Sequence, residues 1–279
     1  MRVLVTGSRG QLGKALESVA PARGHEFLGY DLPQLDVTDA DAVRRTVAAA
    51  GPDAIVNCAA FTAVDAAETD EPAALAVNGA AVKHLAAAAD EAGAVLVQIS
   101  TDYVFDGWAG RPYREDDPPN PLSAYGRTKL AGEREARAAR RHLVVRTAWL
   151  FGDGENFVRA IRRQVEGGAD SLRVVADQKG SPTYAVDLAD ALLRLLEVGA
   201  DGIVHAVNSG SATWSDFARE IVRRLDSSAE VVPITTADAG RPAPRPLSAV
   251  LDASRLVSLL GRGLPPWQDA LGRYLASKR

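Results

Sequence analysis

The chain is poor in the residues that build disulfides and metal sites. Its 279 residues include one cysteine, Cys58, and four histidines, at positions 25, 84, 142 and 205. A lone thiol excludes an intrachain disulfide and fits a reducing compartment. The histidines have no ligand-like spacing, so no metal is expected. No apolar run approaches the roughly 20 residues that a membrane-spanning helix needs. The residues after Met1 run straight into a strand-like stretch, so no cleavable leader is expected. Charge of one sign is also lacking. The balance of 32 Lys and Arg against 36 Asp and Glu leaves a net charge of -4, too little to favour nucleic acid or an anionic membrane as partner. Repeats and low-complexity tracts are absent. A soluble, cytoplasmic protein is the expectation.

Apolar residues, at 47% of the chain, are ample for a large core. The first of them form a strand-like run over residues 2–6, followed by Gly7-Ser8-Arg9-Gly10-Gln11-Leu12-Gly13 and a helical stretch over 14–20. Glycines between a strand and a helix permit a tight turn and the close approach of a pyrophosphate to backbone N–H groups. The spacing predicts a dinucleotide site at Gly7, Gly10 and Gly13. The next strand, over residues 25–30, ends at Asp31, the place for an acid that holds a ribose hydroxyl. Asp36 is a rival at the adenine end, with Asp39 capping a helix over 40–50. Arg9 can instead meet a 2′-phosphate, so NADPH and NADH both stay open. A third strand, over 54–60, ends in Ala59 and Ala60, small enough to leave room for a coenzyme. Cys58 reads as buried filler. A helix is predicted over 73–92, with Asn78 facing either solvent or a loop of the site.

Nearly continuous apolar strands alternating with helices predict an α/β fold: a Rossmann-like, doubly wound parallel sheet. Ligands of such sheets sit at the carboxyl ends of the strands. Thr101 lies at such an end, after the strand-like run 94–99. Tyr125 and Lys129 are four residues apart on a predicted helix, on one face. An ammonium beside a phenol is expected to lower its pKa, so that Tyr125 can give a proton to an oxygen whose carbon accepts hydride. A polar, proline-rich loop over 106–122 is long enough to shape the entrance. Further strands and helices follow through residue 276. The basic segment 239–248, AGRPAPRPLS, reads as a loop over the substrate, where Arg241 or Arg245 can meet a diphosphate. Its other reading is a polyproline ligand for a partner.

The glycine loop with Thr6, the Thr101 hydroxyl and Tyr125-x-x-x-Lys129 together resemble the extended short-chain dehydrogenase/reductase family. Four stretches narrow the likeness to its dTDP-4-dehydrorhamnose reductases: Asn57 to Asp65, Ser100 to Phe105, Arg146 to Trp149 and Asp177 to Thr183. Arg241-Pro242 and Arg245-Pro246-Leu247-Ser248 add to it. The resemblance implies a catalytic set of Thr101, Tyr125 and Lys129. It puts Gly10, Gln11 and Leu12 at the pyrophosphate, Asp36 and Val37 at the adenine, and Ala60, Phe61 and Thr62 near the nicotinamide. It puts Asp102 and Trp149 on the sugar, with Tyr103 beside them. Some members form a metal-bridged dimer through a carboxylate in the first helix. This helix opens Lys14-Ala15-Leu16-Glu17, and no such bridge is expected. A dehydratase of this fold reads Thr-Asp-Glu where this chain has Tyr103, which cannot supply the carboxylate.

The expected activity is NADPH- or NADH-dependent reduction of a nucleotide-linked 4-keto-6-deoxy sugar by a monomer or homodimer. The alternatives are a 4-ketoreductase for another deoxysugar and a non-catalytic regulatory subunit of the same fold. Residues 1–150 and about 183–208 are expected to form the dinucleotide-binding domain. Residues from about 151 to 182 and 209–279 are expected to form a smaller, discontinuous substrate domain.

Overall fold

The computed structural model describes residues 1–277. Its strands of four or more residues are β1 Arg2–Thr6, β2 Glu26–Tyr30, β3 Ala54–Asn57, β4 Val95–Thr101, β5 His142–Thr147, β6 Ser171–Val175, β7 Gly202–His205 and β8 Glu230–Ile234. The helices that matter here are α1 Gln11–Val19, α2 Ala40–Ala50, α3 Ala81–Ala92, α4 Ala124–Ala136, α5 Phe157–Glu166, α6 Ala185–Glu197, α7 Trp214–Arg224 and α8 Trp267–Ala276.

Six strands form one parallel sheet in the order β7-β5-β4-β3-β1-β2. Successive side chains of a strand point to opposite faces, and here both faces are apolar. Val3, Val5, Val56, Val97 and Val145 pack with α1 and α6, through Leu16, Leu188 and Leu192. Leu4, Ile55, Leu96 and Val144 pack on the other side with α2 and α3, through Val43, Val47 and Leu85. That double burial explains why the strands read as unbroken apolar runs. The chain reverses direction across the sheet between β1 and β3, and a ligand crevice opens where the order reverses. The helix expected over 73–92 is broken. Residues Glu71–Leu75 are α-helical, Ala76–Ala80 form a π-helical turn, and α3 follows. Asn78 in that turn is buried. It accepts from Phe61 N at 2.9 Å and donates to Phe61 O at 3.0 Å, so it clamps a loop rather than facing water.

A second, smaller core gathers Phe151, Ile161, Leu172, Phe217, Trp267 and Tyr274 from α5, α7, α8 and the strand region. There β6 pairs in parallel with β8. Thr213 caps α7 in a capping box with Asp216, while Ser215 makes no cap. Residues 185–205, as α6 and β7, rejoin the large sheet. No helix among the described residues is long and apolar enough to cross a membrane.

Candidate active site

The carboxyl edge of the sheet opens into a cavity of about 900 Å³ that runs from the glycine loop to Trp214. It is at the large end for small-molecule sites. At one end, Gly7 has φ +65°, and a side chain there would sit 2.6 Å from Ala59 N. Only glycine lets β1 and the loop after β3 come this close. Gly10 is the N-cap of α1 and offers no side-chain cap, and the first turn of α1 holds no acid. The N–H groups of that turn are therefore left for an anion, with the positive end of the helix dipole behind them. Gln11, Leu12 and Gly13 line the same wall. This cradle fits a dinucleotide pyrophosphate.

Asp31, Asp36 and Val37 line the neighbouring end. The Asp31 carboxylate already accepts from Arg9 N and Leu32 N, both at 2.8 Å. The Arg9 guanidinium donates to Leu32 O at 3.1 Å. Asp36 accepts from Thr38 N and Thr38 Oγ1, which holds its pKa below the usual carboxylate range. Asp39 caps α2. In the middle of the cavity, Ala59, Ala60, Phe61 and Thr62 face Thr101, Asp102, Tyr103, Tyr125 and Lys129. Arg245 lies behind the wall, against the Tyr103 side chain. It is not on the cavity wall, and its guanidinium donates to the Asp65 carboxylate at 3.0 Å.

Ser123 caps α4 by accepting from Gly126 N at 3.1 Å, which sets the turn that carries Tyr125. Thr101 Oγ1 donates to Asp102 Oδ1 at 2.9 Å, and the Tyr125 phenol is hydrogen-bonded to Thr101. Burial pushes the Asp102 carboxyl up to about 7. The expectation that Lys129 lowers the Tyr125 pKa is not met. Burial raises the phenol well above its ordinary value, the Asp102 charge raises it further, and the Thr101 hydrogen bond only opposes this. The Lys129 ammonium is directed elsewhere: Nζ donates to Ile99 O at 2.7 Å. Burial lowers Lys129 to about 8, with Glu133 and Cys58 opposing. Cys58 itself is pushed up to about 12 by burial, which leaves it an inert thiol.

Trp149 closes the far end with φ +45°, a strained angle for a side chain of this size. Its indole stacks on Trp214, with centroids 3.5 Å apart and planes 7° from parallel. Trp214 Nε1 donates to Gln178 Oε1 at 3.2 Å. Sequence reasoning missed Trp214. Its only signal is an aromatic at the start of an amphipathic helix, and nothing local ties it to Trp149. Asn156 donates to Gln11 Oε1 at 3.1 Å, tying the segment after Phe151 to the glycine-loop end of the cavity. Among the described residues, no group of three or more His, Cys, Asp or Glu could hold a metal ion. The arrangement can donate a proton to, and hold, a carbonyl oxygen beside a bound dinucleotide.

A family model described as the RmlD substrate binding domain matches residues 1–279. The chain is 46% identical to a dTDP-4-dehydrorhamnose reductase of Streptomyces griseus, over 97% of this chain and 91% of that protein. It is also 46% identical to a probable dTDP-4,6-dihydroxy-2-methyloxan-3-one 4-ketoreductase of Streptomyces antibioticus, over 97% and 93%. A crystal structure of the Bacillus anthracis dTDP-4-dehydrorhamnose reductase in complex with NADP is similar, with a TM-score of 0.95, 35% identity and 99% of each chain covered.

Proposed function

The chain belongs to the RmlD substrate binding domain family, and on that premise we propose that it reduces the 4-keto group of dTDP-4-dehydrorhamnose to give dTDP-L-rhamnose, with NADPH or NADH as coenzyme. One observation carries the reading: a single cavity joins a pyrophosphate cradle at Gly10 to a buried hydroxyl, phenol and ammonium at Thr101, Tyr125 and Lys129. When bound, the reduced nicotinamide supplies hydride to the carbonyl carbon.

The chain's own groups do the rest. Tyr125, held protonated by burial, gives its phenolic proton to the carbonyl oxygen as that oxygen gains charge. Thr101 turns its one hydroxyl proton from Asp102 to the oxygen and so holds it in place. Lys129 lines the same cavity and holds the end of β4 through Ile99 O, just ahead of Thr101. Water then restores the proton to Tyr125. Gly7, Gly10, Gln11, Leu12 and Gly13 hold the pyrophosphate. Asp31, Asp36 and Val37 hold the adenosine end, and Ala59 to Thr62 flank the nicotinamide. Asp102, Tyr103 and Trp149 contact the sugar. Arg245 reaches the diphosphate only on leaving Asp65.

In this reading residues 1–150 and about 183–208 bind coenzyme, and about 151–182 and 209–279 bind the nucleotide sugar. Every named group comes from one chain, which suits a monomer or a homodimer. The single thiol suits the cytoplasm. A reductase of a different dTDP-deoxysugar is the second reading, favoured by the equal identity to the S. antibioticus 4-ketoreductase. The test is to supply dTDP-4-dehydrorhamnose with NADPH or NADH, follow coenzyme absorbance and identify the sugar formed. Rhamnose as product is expected. Coenzyme oxidation only with another 4-keto sugar decides for the second reading, and none with any of them removes both.

A further inference from the structure

Tyr125, Lys129 and Glu133 follow one another at four-residue steps on one face of α4. The proposed reaction uses the first two and leaves Glu133 over. Its side chain is 2% exposed and that of its partner Arg146 is 1% exposed. Arg146 grips it with both arms, Nε to Oε1 at 2.8 Å and Nη2 to Oε2 at 2.7 Å. The Ser100 hydroxyl donates to the same Oε1 at 2.5 Å. An ion pair shut away from water loses so much hydration that apolar residues would often serve stability as well. Its position supplies another reason for it. Ser100 and Arg146 are register partners in β4 and β5, one residue before Thr101 and Thr147. Lys129 holds Ile99 O, the residue before Ser100. One helix face thus holds two consecutive residues of β4 just ahead of Thr101.

We propose that Glu133 is a positioning residue: clamped by Arg146, it locks the end of β4 to α4, so that Thr101, Tyr125 and Lys129 stand in register for the reaction. From one turn along the same helix its carboxylate also favours the charged form of Lys129. The inference rests on the reductase reading. Two groups act on the Lys129 charge, Glu133 from its own helix and Cys58 from the loop after β3. Cys58 is a neutral thiol because burial raises it, so Glu133 is the standing negative charge. Arg146 from β5 and Ser100 from β4 face Glu133 in turn. His205 of β7 lies 3.5 Å from Arg146 and is uncharged, since burial and the arginine push it down to about 3.

The test is Glu133→Gln, which keeps the shape and the acceptor for Ser100. Coenzyme Kd and substrate KM are expected to stay within about two-fold, while kcat falls by ~10-fold or more. With its neighbouring charge gone, Lys129 loses its proton at lower pH. The alkaline limb of the kcat profile is therefore expected to move down by about one pH unit. The pH dependence of coenzyme binding, read by fluorescence without turnover, is expected to shift the same way. An equal loss of kcat at every pH, with neither limb moved, means Glu133 is structural only and overturns the proposal. Ser100→Ala guards against a variant that does not fold, because it leaves the ion pair intact. It is expected to cut kcat by about two- to five-fold with KM unchanged, and unaltered kinetics in it overturn the positioning role. If the parent protein turns over no 4-keto sugar, the reductase reading fails. The binding profile of Glu133→Gln then still decides whether Glu133 governs Lys129.

Discussion

A carboxyl group shut away from water keeps its proton longer, and Asp102 is such a group. Its pKa rises from 3.8 to about 7 because burial outweighs its hydrogen bonds with Thr101 and the backbone. Between those two values the folded chain holds a proton that the unfolded chain has released, so stability falls as pH rises through that window. Above it the whole cost persists. Asp102→Asn keeps an acceptor for Thr101 and removes the charge. It is expected to match the parent on the acid side of the window and to exceed it by about 1–3 kcal/mol on the alkaline side. Urea midpoints at several pH values measure this, and a constant difference counts against a buried carboxylate. Tyr125→Phe removes the proposed acid alone. It is expected to lower kcat by ~10²–10⁴-fold with coenzyme Kd little changed, and near-normal turnover rules out Tyr125 as the donor. At this scale the sequence shows which side chains share a helix face. It does not show where an ammonium finds its acceptor. The spacing of Tyr125 and Lys129 is legible, but Lys129 turning to Ile99 O is a tertiary fact. So is Arg245 binding Asp65, from 180 residues away in the chain.

The element that carries the proposed chemistry is α4, and its fit depends on lacking side chains. A Cβ at Gly132 would run into the Asn78 carbonyl oxygen of the π-helical turn. That contact is backbone, so α4 itself has to move. Gly132→Ala is expected to destabilise the chain by about 1–3 kcal/mol and to lower kcat more than it raises coenzyme Kd, because the displaced helix bears Tyr125 and Lys129. Thermal unfolding with steady-state kinetics checks it, and a variant equal to the parent in both shows that the neighbouring turn gives way. Strands and helices of the large sheet were readable because two opposed apolar faces leave unbroken runs such as Val3 to Val5. The π-helical turn was not, since an alanine-rich stretch has the same composition with or without an extra residue in the turn. Its signal is Asn78, whose use of both amide atoms on Phe61 appears only once the loop is in place.

For the molecule as a whole, the cavity decides how it responds to ligand. Its wall includes residues as distant in sequence as Gly7 and Trp214, and Asn156 is tied to Gln11 across 145 residues of chain. A coenzyme that binds only this assembled wall stabilises the fold by mass action. At 100 times its Kd the gain is expected to be about 2.7 kcal/mol, seen as a rise in Tm with NADPH or NADH. No rise with either at saturation argues against the coenzyme site. The glycine loop that begins this wall was legible at once, because its function is local. Trp214 was not, because its place against Trp149 depends on how the last third of the chain folds back.

That folding back has a cost during synthesis. The outer edge of β5 is covered by β7, whose residues are made long after those of β5. A ribosome extruding this polypeptide therefore presents a bare row of strand amides and carbonyls until Gly202–His205 emerges. An open edge of that kind recruits other unfinished chains. Crowded translation at high expression is therefore expected to favour aggregation of this chain.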